Sequence, residues 1–176
     1  MRDSIHQELG LRDMCNFIKK TKVHISTIVE VGSFCGEGTR IFVEEFPNSK
    51  IMCIDPWAEG YDSKDPASSV DMGAVEKRFD MFAKKHKTVS KYKGVSFDFA
   101  TLPEFANVSM CYIDGCHTYD AVKKDIQFWL KRCQHVICGH DYGIKNHWLS
   151  PVTDAVDELI GKPDAVFKDC SWVKIL

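Results

Sequence analysis

No stretch of this 176-residue chain approaches the roughly 20 consecutive apolar residues of a membrane span, and its opening, MRDSIHQELG, lacks the apolar core of a secretion signal. The expectation is a cytoplasmic protein with no membrane partner. An excess of positive charge is missing as well: 23 Lys and Arg stand against 25 Asp and Glu, a formal net charge of −2. No field is left over to hold a phosphate backbone, so nucleic acid is not expected as a partner. C-x-x-C pairs are absent, and so are internal repeats and low-complexity tracts. The eight cysteines (15, 35, 53, 111, 116, 133, 138 and 170) read as free thiols. Several lie in apolar runs such as IMCID, SMCYID and HVICGH, where a thiol behaves as a small hydrophobe. Cys35 and Cys116 fall in loops expected to face a ligand, where exposure would leave them oxidisable.

What is present is enough apolar content, 44%, to build one core, and the length suits one domain over 1–176 with 1–25 as an N-terminal helical segment. Short β-rich runs alternate with segments of helical period, the pattern of a parallel sheet with helices on its faces. Residues 7–20 suit an amphipathic helix with Leu9, Leu11, Met14, Phe17 and Ile18 apolar. Strands are expected at 26–32, 49–55, 91–97, 108–114 and 135–141. Helices are expected at about 38–46, 73–87 (Val75, Phe79, Phe82 and Ala83 inward), 118–132 and 151–161. DAVFKD and SWVKIL read as a closing hairpin. Residues 56–72, rich in Pro, Gly, Ser and Asp, read as a long loop of the kind that serves as a lid.

Two features point to a nucleotide-type ligand. Glu30-Val31-Gly32-Ser33-Phe34-Cys35-Gly36-Glu37-Gly38 closes the first strand with three glycines ahead of a helix, so backbone can approach a ligand closely. The spacing G-x-x-x-G-x-G is not the dinucleotide G-x-G-x-x-G. Glu30 would repel a pyrophosphate, whereas the ammonium group of S-adenosyl-L-methionine can be approached by a carboxylate. Asp55 ends the second strand, where a carboxylate can accept hydrogen bonds from ribose hydroxyls. The candidate cofactor contacts are Glu30, Gly32, Ser33, Phe34, Gly36, Gly38 and Thr39, then Asp55, Pro56 and Trp57, then Ser96, Phe97 and Asp98 past the third strand, and Asp114. Phe97 either offers an adenine wall or packs in the core. Trp57 and Tyr61 open the long loop and are candidate covers for the cofactor or acceptor. Asp120 and Asp125, beside Lys123 and Lys124, read as a solvated helix face.

The runs VEVGSFCGEGT (29–39), IDPW (54–57), YIDGCHTYDAVKKDI (112–126) and CGHDYG (138–143) resemble class I S-adenosylmethionine-dependent methyltransferases, in particular the macrocin- and mycinamicin-type sugar O-methyltransferases. The resemblance implies a Rossmann-like three-layer α/β sandwich with a mostly parallel seven-stranded sheet and a C-terminal antiparallel hairpin. It also implies that the D-x-x-H after the fourth strand supplies a metal-binding Asp114 and a catalytic base, His117, with Asp141 completing a magnesium site. His140 departs from the sugar enzymes, which carry glutamate there. A nitrogen donor weakens the case for magnesium and admits manganese, iron or zinc.

Independently of any family, Asp114 and Asp141 end neighbouring strands at the carboxyl edge of a parallel sheet, where their carboxylates should converge on a divalent ion. An ion there would lower the pKa of an acceptor hydroxyl, and His117, ordinarily titrating near 6.5, would take the proton. Asp114 as a helix cap and His117 as an ordinary loop histidine remain the structural alternatives. The expected activity is methylation of a hydroxyl oxygen of a small sugar or phenol-like acceptor, with a homodimer as one way to complete the acceptor site. The competing readings are a noncatalytic S-adenosylmethionine or nucleotide-binding module, and a metal-dependent hydroxylase, since the D-x-x-H pattern also resembles cephalosporin hydroxylases.

Overall fold

The computed structural model describes residues 4–144 and 147–176. The continuous apolar runs of the sequence become the centre of one sheet, because only a strand covered on both faces can be apolar at every position. β1 (Thr27–Val31), β2 (Lys50–Asp55), β4 (Val108–Ile113) and β5 (Cys133–Gly139) are buried almost throughout. With β3 (Val89–Lys93), β6 (Ala165–Val166) and β7 (Trp172–Ile175) they form a seven-stranded sheet in the order β3-β2-β1-β4-β5-β7-β6. The first five strands run parallel; β7 is antiparallel to both β5 and β6, giving the expected C-terminal hairpin.

The helices α1 (Ser4–Lys20), α2 (Glu37–Glu45), α3 (Met72–Ala83), α4 (Tyr119–Leu130) and α5 (Ser150–Ile160) separate the core into two apolar clusters, one on each face of the sheet. α1, α2 and α3 contribute Met14, Phe42 and Phe79 to one cluster; α4 and α5 contribute Ile126, Trp129 and Val156 to the other. The fold is therefore the three-layer Rossmann-like α/β sandwich. None of the described helices is long and apolar enough to cross a membrane.

Three sequence expectations shift. β3 lies at 89–93 rather than 91–97, and 96–99 is a 3-10 turn instead, because the Asp98 carboxylate accepts the Val95 N–H at 2.9 Å and curls the chain. Leu9 is 57% exposed; the buried stripe of α1 is Leu11, Met14, Cys15 and Ile18, together with Gly10. A glycine in mid-helix costs about 1 kcal/mol relative to alanine. Here a Cβ on Gly10 would lie 2.1 Å from Asp169 Oδ1, so the hairpin turn occupies the space an alanine would need. Helix α3 stops at Ala83 rather than at 87, with Lys77 and Arg78 on its exposed face.

The strand order reverses between β1 and β4, and a ligand crevice is expected above such a switch point. Backbone hydrogen bonds prolong the pairing past the strand ends: Gly32 N–H to Ile54 O, Asp114 N–H to Val31 O and His140 N–H to Ile113 O. These bonds bring Gly32, Asp114 and His140 level along one edge.

Candidate active site

An open cleft of about 2010 Å³ runs along that edge, roughly twice the largest common small-molecule pocket, so it has room for two ligands. One half is built from the loop between β1 and α2. Glu30 is buried with its carboxylate at the cleft wall; a Cβ on Gly38 would come within 2.5 Å of Glu30 Oε1. Burial raises the Glu30 pKa to about 7, against hydrogen bonds from the Thr39 hydroxyl and others that lower it. Thr39 lies behind Glu30, fully buried and off the cleft, as donor to that carboxylate. Gly32, Ser33, Phe34, Gly36, Gly38 and Pro56 line the cleft.

Asp55 also reaches the cleft, but both its oxygens are already engaged by backbone: Oδ2 accepts Phe34 N–H at 2.9 Å and Oδ1 accepts Trp57 N–H at 2.7 Å. Phe34 and Trp57 have φ of 46° and 41°, values that bulky residues rarely adopt. Asp55 thus pins two strained turns that shape the rim. Burial raises its pKa, and the two N–H donors offset part of that rise. Trp57 is not a cover for the cleft. Its ring is buried on Phe79 with centroids 4.9 Å apart, and its indole N–H donates to Phe34 O at 2.8 Å.

Farther along, Ser96 and Phe97 line the cleft, Phe97 being 48% exposed rather than in the core. Asp98 does not reach it, since its carboxylate is used on Val95. The solvated face expected for Asp125 is also corrected: the residue is buried beside Ser96 at the cleft wall, and burial raises its pKa to about 6 against the Ser96 hydrogen bond. The signal was in the spacing, because Val122, Asp125, Ile126 and Trp129 follow the i, i+3, i+4, i+7 rule of one buried stripe.

At the other half Asp114 and His117 line the cleft, and the buried His140 and Asp141 converge on them from behind. One ligand atom from each of Asp114, His140 and Asp141 lies within 4.8 Å of the others. His117 Nε2 is 3.0 Å from Asp141 Oδ2 and 3.8 Å from Asp114 Oδ1, and His140 Nδ1 is 3.1 Å from Asp141 Oδ1. Yet neither ring nitrogen of His117 or of His140 makes a well-directed hydrogen bond among the described residues. Buried imidazole nitrogens set among carboxylates without hydrogen bonds are what a divalent ion would satisfy, and the donor set of two carboxylates and one imidazole fits one. Asp141 has φ of 64°, a left-handed conformation that Asp tolerates.

The electrostatics differ from the simple expectation for His117. Burial lowers its pKa, but the Asp114 and Asp141 carboxylates outweigh burial and hold it up at about 10. His140 behaves alike, with burial opposed by Asp114, Asp141 and Asp169, and also reaches about 10. Burial would raise the Asp141 carboxyl, but the two imidazoles hold it far below the usual carboxylate range. A raised histidine pKa contributes stability that is complete below pH 6.5 and lost as pH rises through about 10. In EDTA the melting temperature should therefore fall between pH 6.5 and 10, and a divalent ion should shrink that fall; a profile flat in EDTA would contradict the assignment.

Sequence reasoning missed several neighbours. Asp62 and Asp65, from the 56–72 loop, lie 3.8 and 3.6 Å from His117 Nδ1, and Asp62 Oδ2 accepts the His117 backbone N–H at 3.2 Å. Their neighbour Tyr61, singled out in the sequence beside Trp57, lines the cleft and donates to Asp65 at 2.8 Å. Trp148 meets the His117 ring edge-on at 5.2 Å and lines the same end. An aperiodic loop gives no warning of such contacts. Tyr119 and Tyr142, which follow the two strand-end motifs, donate to Glu158 and Asp157 of α5. Cys35 is buried, whereas Cys116 is partly exposed at the cleft.

A family model described as a methyltransferase domain matches residues 29–142. No curated protein matches the sequence. Among solved structures, a candidate caffeoyl-CoA O-methyltransferase from Staphylococcus aureus is similar with a TM-score of 0.65 at 13% identity, over 94% of this chain and 81% of that one. The O-methyltransferase TomG from Streptomyces achromogenes, in complex with SAM, gives 0.57 at 14% identity, over 95% and 76%. An O-methyltransferase from Bacillus cereus, in complex with SAH, gives 0.54 at 11% identity, over 98% and 89%. At these identities the likeness is one of fold.

Proposed function

The chain belongs to the methyltransferase-domain family, and from that premise we propose that it transfers a methyl group from S-adenosyl-L-methionine to a hydroxyl oxygen of a small sugar or phenol-like acceptor, assisted by a divalent ion. The observation that carries the reading is one continuous cleft with the Glu30, Gly32 and Asp55 loops at one half and Asp114 and His117 at the other, where Asp141 is buried directly behind His117 at 3.0 Å. S-Adenosylmethionine supplies an electrophilic methyl group on a sulfonium. In the transfer the acceptor oxygen gains the carbon as the sulfur–carbon bond breaks, and the hydroxyl proton leaves the oxygen.

The residues divide the work accordingly. Glu30 offers a carboxylate to an ammonium group, Asp55 retains free lone pairs for ribose hydroxyls, and Ser96, Phe97 and Asp125 line the half where a base edge would lie. Asp114, His140 and Asp141 would hold the ion, whose chemistry is to lower the acceptor hydroxyl's pKa. His117, between the Asp141 and Asp62/Asp65 carboxylates, is the proton acceptor. It can take a proton only once the charge of Asp114 and Asp141, which otherwise keeps it protonated, is neutralised. Trp148 and Tyr61 offer flat walls for the acceptor.

Calorimetric titration with S-adenosylmethionine, S-adenosylhomocysteine and NAD tests this without an acceptor. Both S-adenosyl ligands should bind and NAD should not. Preferential NAD binding, or no binding of any of the three, would remove the reading.

A further inference from the structure

The turn between β6 and β7 contains a carboxylate that the reaction does not directly use. Asp169 has a side chain 1% exposed, fixed by Ser171, whose N–H donates to Oδ1 at 3.0 Å and whose hydroxyl donates to Oδ2 at 2.7 Å. Asp169 Oδ2 stands 3.7 Å from His140 Nε2, on the side of the ring opposite the nitrogen that faces Asp141. The bare backbone of Gly10 packs against Asp169 Oδ1, where a Cβ would lie 2.1 Å away, so α1 closes the space behind it. The His140 backbone is held too, because Trp172 Nε1 donates to its carbonyl at 3.2 Å.

We propose that His140, oriented by Asp169 as a positioning residue, makes the Asp114 and Asp141 pair a site for a nitrogen-accepting transition ion such as manganese, iron or zinc, in preference to magnesium. The inference rests on the reading of that pair as an ion site. His140 is 4% exposed and neither of its nitrogens has a well-directed hydrogen bond, with Nδ1 aimed at the carboxylates. At 3.7 Å the Asp169 carboxylate acts on the ring through its charge, which favours the proton on the near nitrogen, Nε2, and leaves Nδ1 as the lone-pair donor toward Asp141. Magnesium favours an all-oxygen shell, whereas imidazole suits zinc, iron and nickel. The contrary arrangement, a protonated His140 paired to Asp141 and Asp169 with no ion, is an outcome of the test.

The experiment titrates the metal-free full chain with Zn²⁺, Mn²⁺ and Mg²⁺ separately, no other ligand being present. The wild-type zinc-to-magnesium affinity ratio should exceed about 100, and Asp169→Asn should weaken zinc about 10- to 100-fold. His140→Asp should keep a site but lower the ratio at least about tenfold. Pulsed electron paramagnetic resonance of the manganese-loaded His117→Ala protein, in which His140 is the remaining imidazole beside Asp141, should show nitrogen coupling, and this decides the matter if His140→Asp does not fold. Magnesium binding as tight as zinc, absence of ion binding, an Asp169→Asn protein with unchanged zinc affinity, or manganese without nitrogen coupling would each overturn the proposal. S-Adenosylhomocysteine binding measured in EDTA is independent of these results, so its failure would remove the methyltransferase reading separately.

Discussion

Asp141→Asn is expected to lower methyl transfer at least about 10³-fold while leaving S-adenosylhomocysteine affinity unchanged. The size follows from what one carboxylate does here. Asp141 touches both buried imidazoles, at 3.0 Å to His117 and 3.1 Å to His140, and belongs to the group that can hold an ion. An ion that polarises an acceptor oxygen is worth several kcal/mol, and each 1.36 kcal/mol is a factor of ten in rate. Asparagine is the informative replacement because it tolerates the left-handed backbone at this position, φ 64°, while losing the charge. The measurement is a single-turnover assay with labelled cosubstrate and the best acceptor found in a screen of hydroxyl compounds, alongside calorimetry of the cofactor product. Parallel loss of cofactor affinity would make Asp141 a structural residue.

Much of this arrangement was legible in the chain because it is encoded locally. Apolar runs give buried strands, their order gives a parallel sheet, and residues within two positions of each strand's carboxyl end fall at the ligand-bearing edge, which is why Glu30, Asp55, Asp114 and Asp141 could be singled out. What was not legible depends on contacts between distant segments. Asp169 reaches His140 only because β7 returns antiparallel beside β5, and Asp62 reaches His117 across 55 residues. Trp57 and Asp98 do not line the cleft for a local reason, since each is spent on a turn whose backbone conformation the sequence does not announce. The pKa of His117 was misjudged because carboxylates from three elements surround it, and no single motif contains them.

Gly32→Ala should be the most damaging substitution in the cofactor half. A Cβ there would lie 2.0 Å from the Asp114 carbonyl oxygen and 2.8 Å from Gly115 Cα, both backbone atoms. They cannot yield easily, because the Asp114 N–H is bonded to Val31 O at 2.8 Å and locks the two strand ends together. The residue also has φ of 85°, which costs an alanine about 1–2 kcal/mol, and the clash adds about 1–3 kcal/mol. A loss of about 3 kcal/mol is a large part of a typical domain's stability of about 5–15 kcal/mol. Gly60→Ala separates the two contributions, since Gly60 has φ of 71° with nothing within 4 Å of a Cβ. It should lose only the conformational part, about 1–2 kcal/mol, and bind S-adenosylhomocysteine normally. Gly32→Ala should lose more in chemical denaturation and bind at least tenfold more weakly, because the displaced Gly32 and Ser33 backbone itself lines the cofactor half of the cleft. Equal losses in the two variants would mean that the close approach of the β1 and β4 ends does not constrain this site.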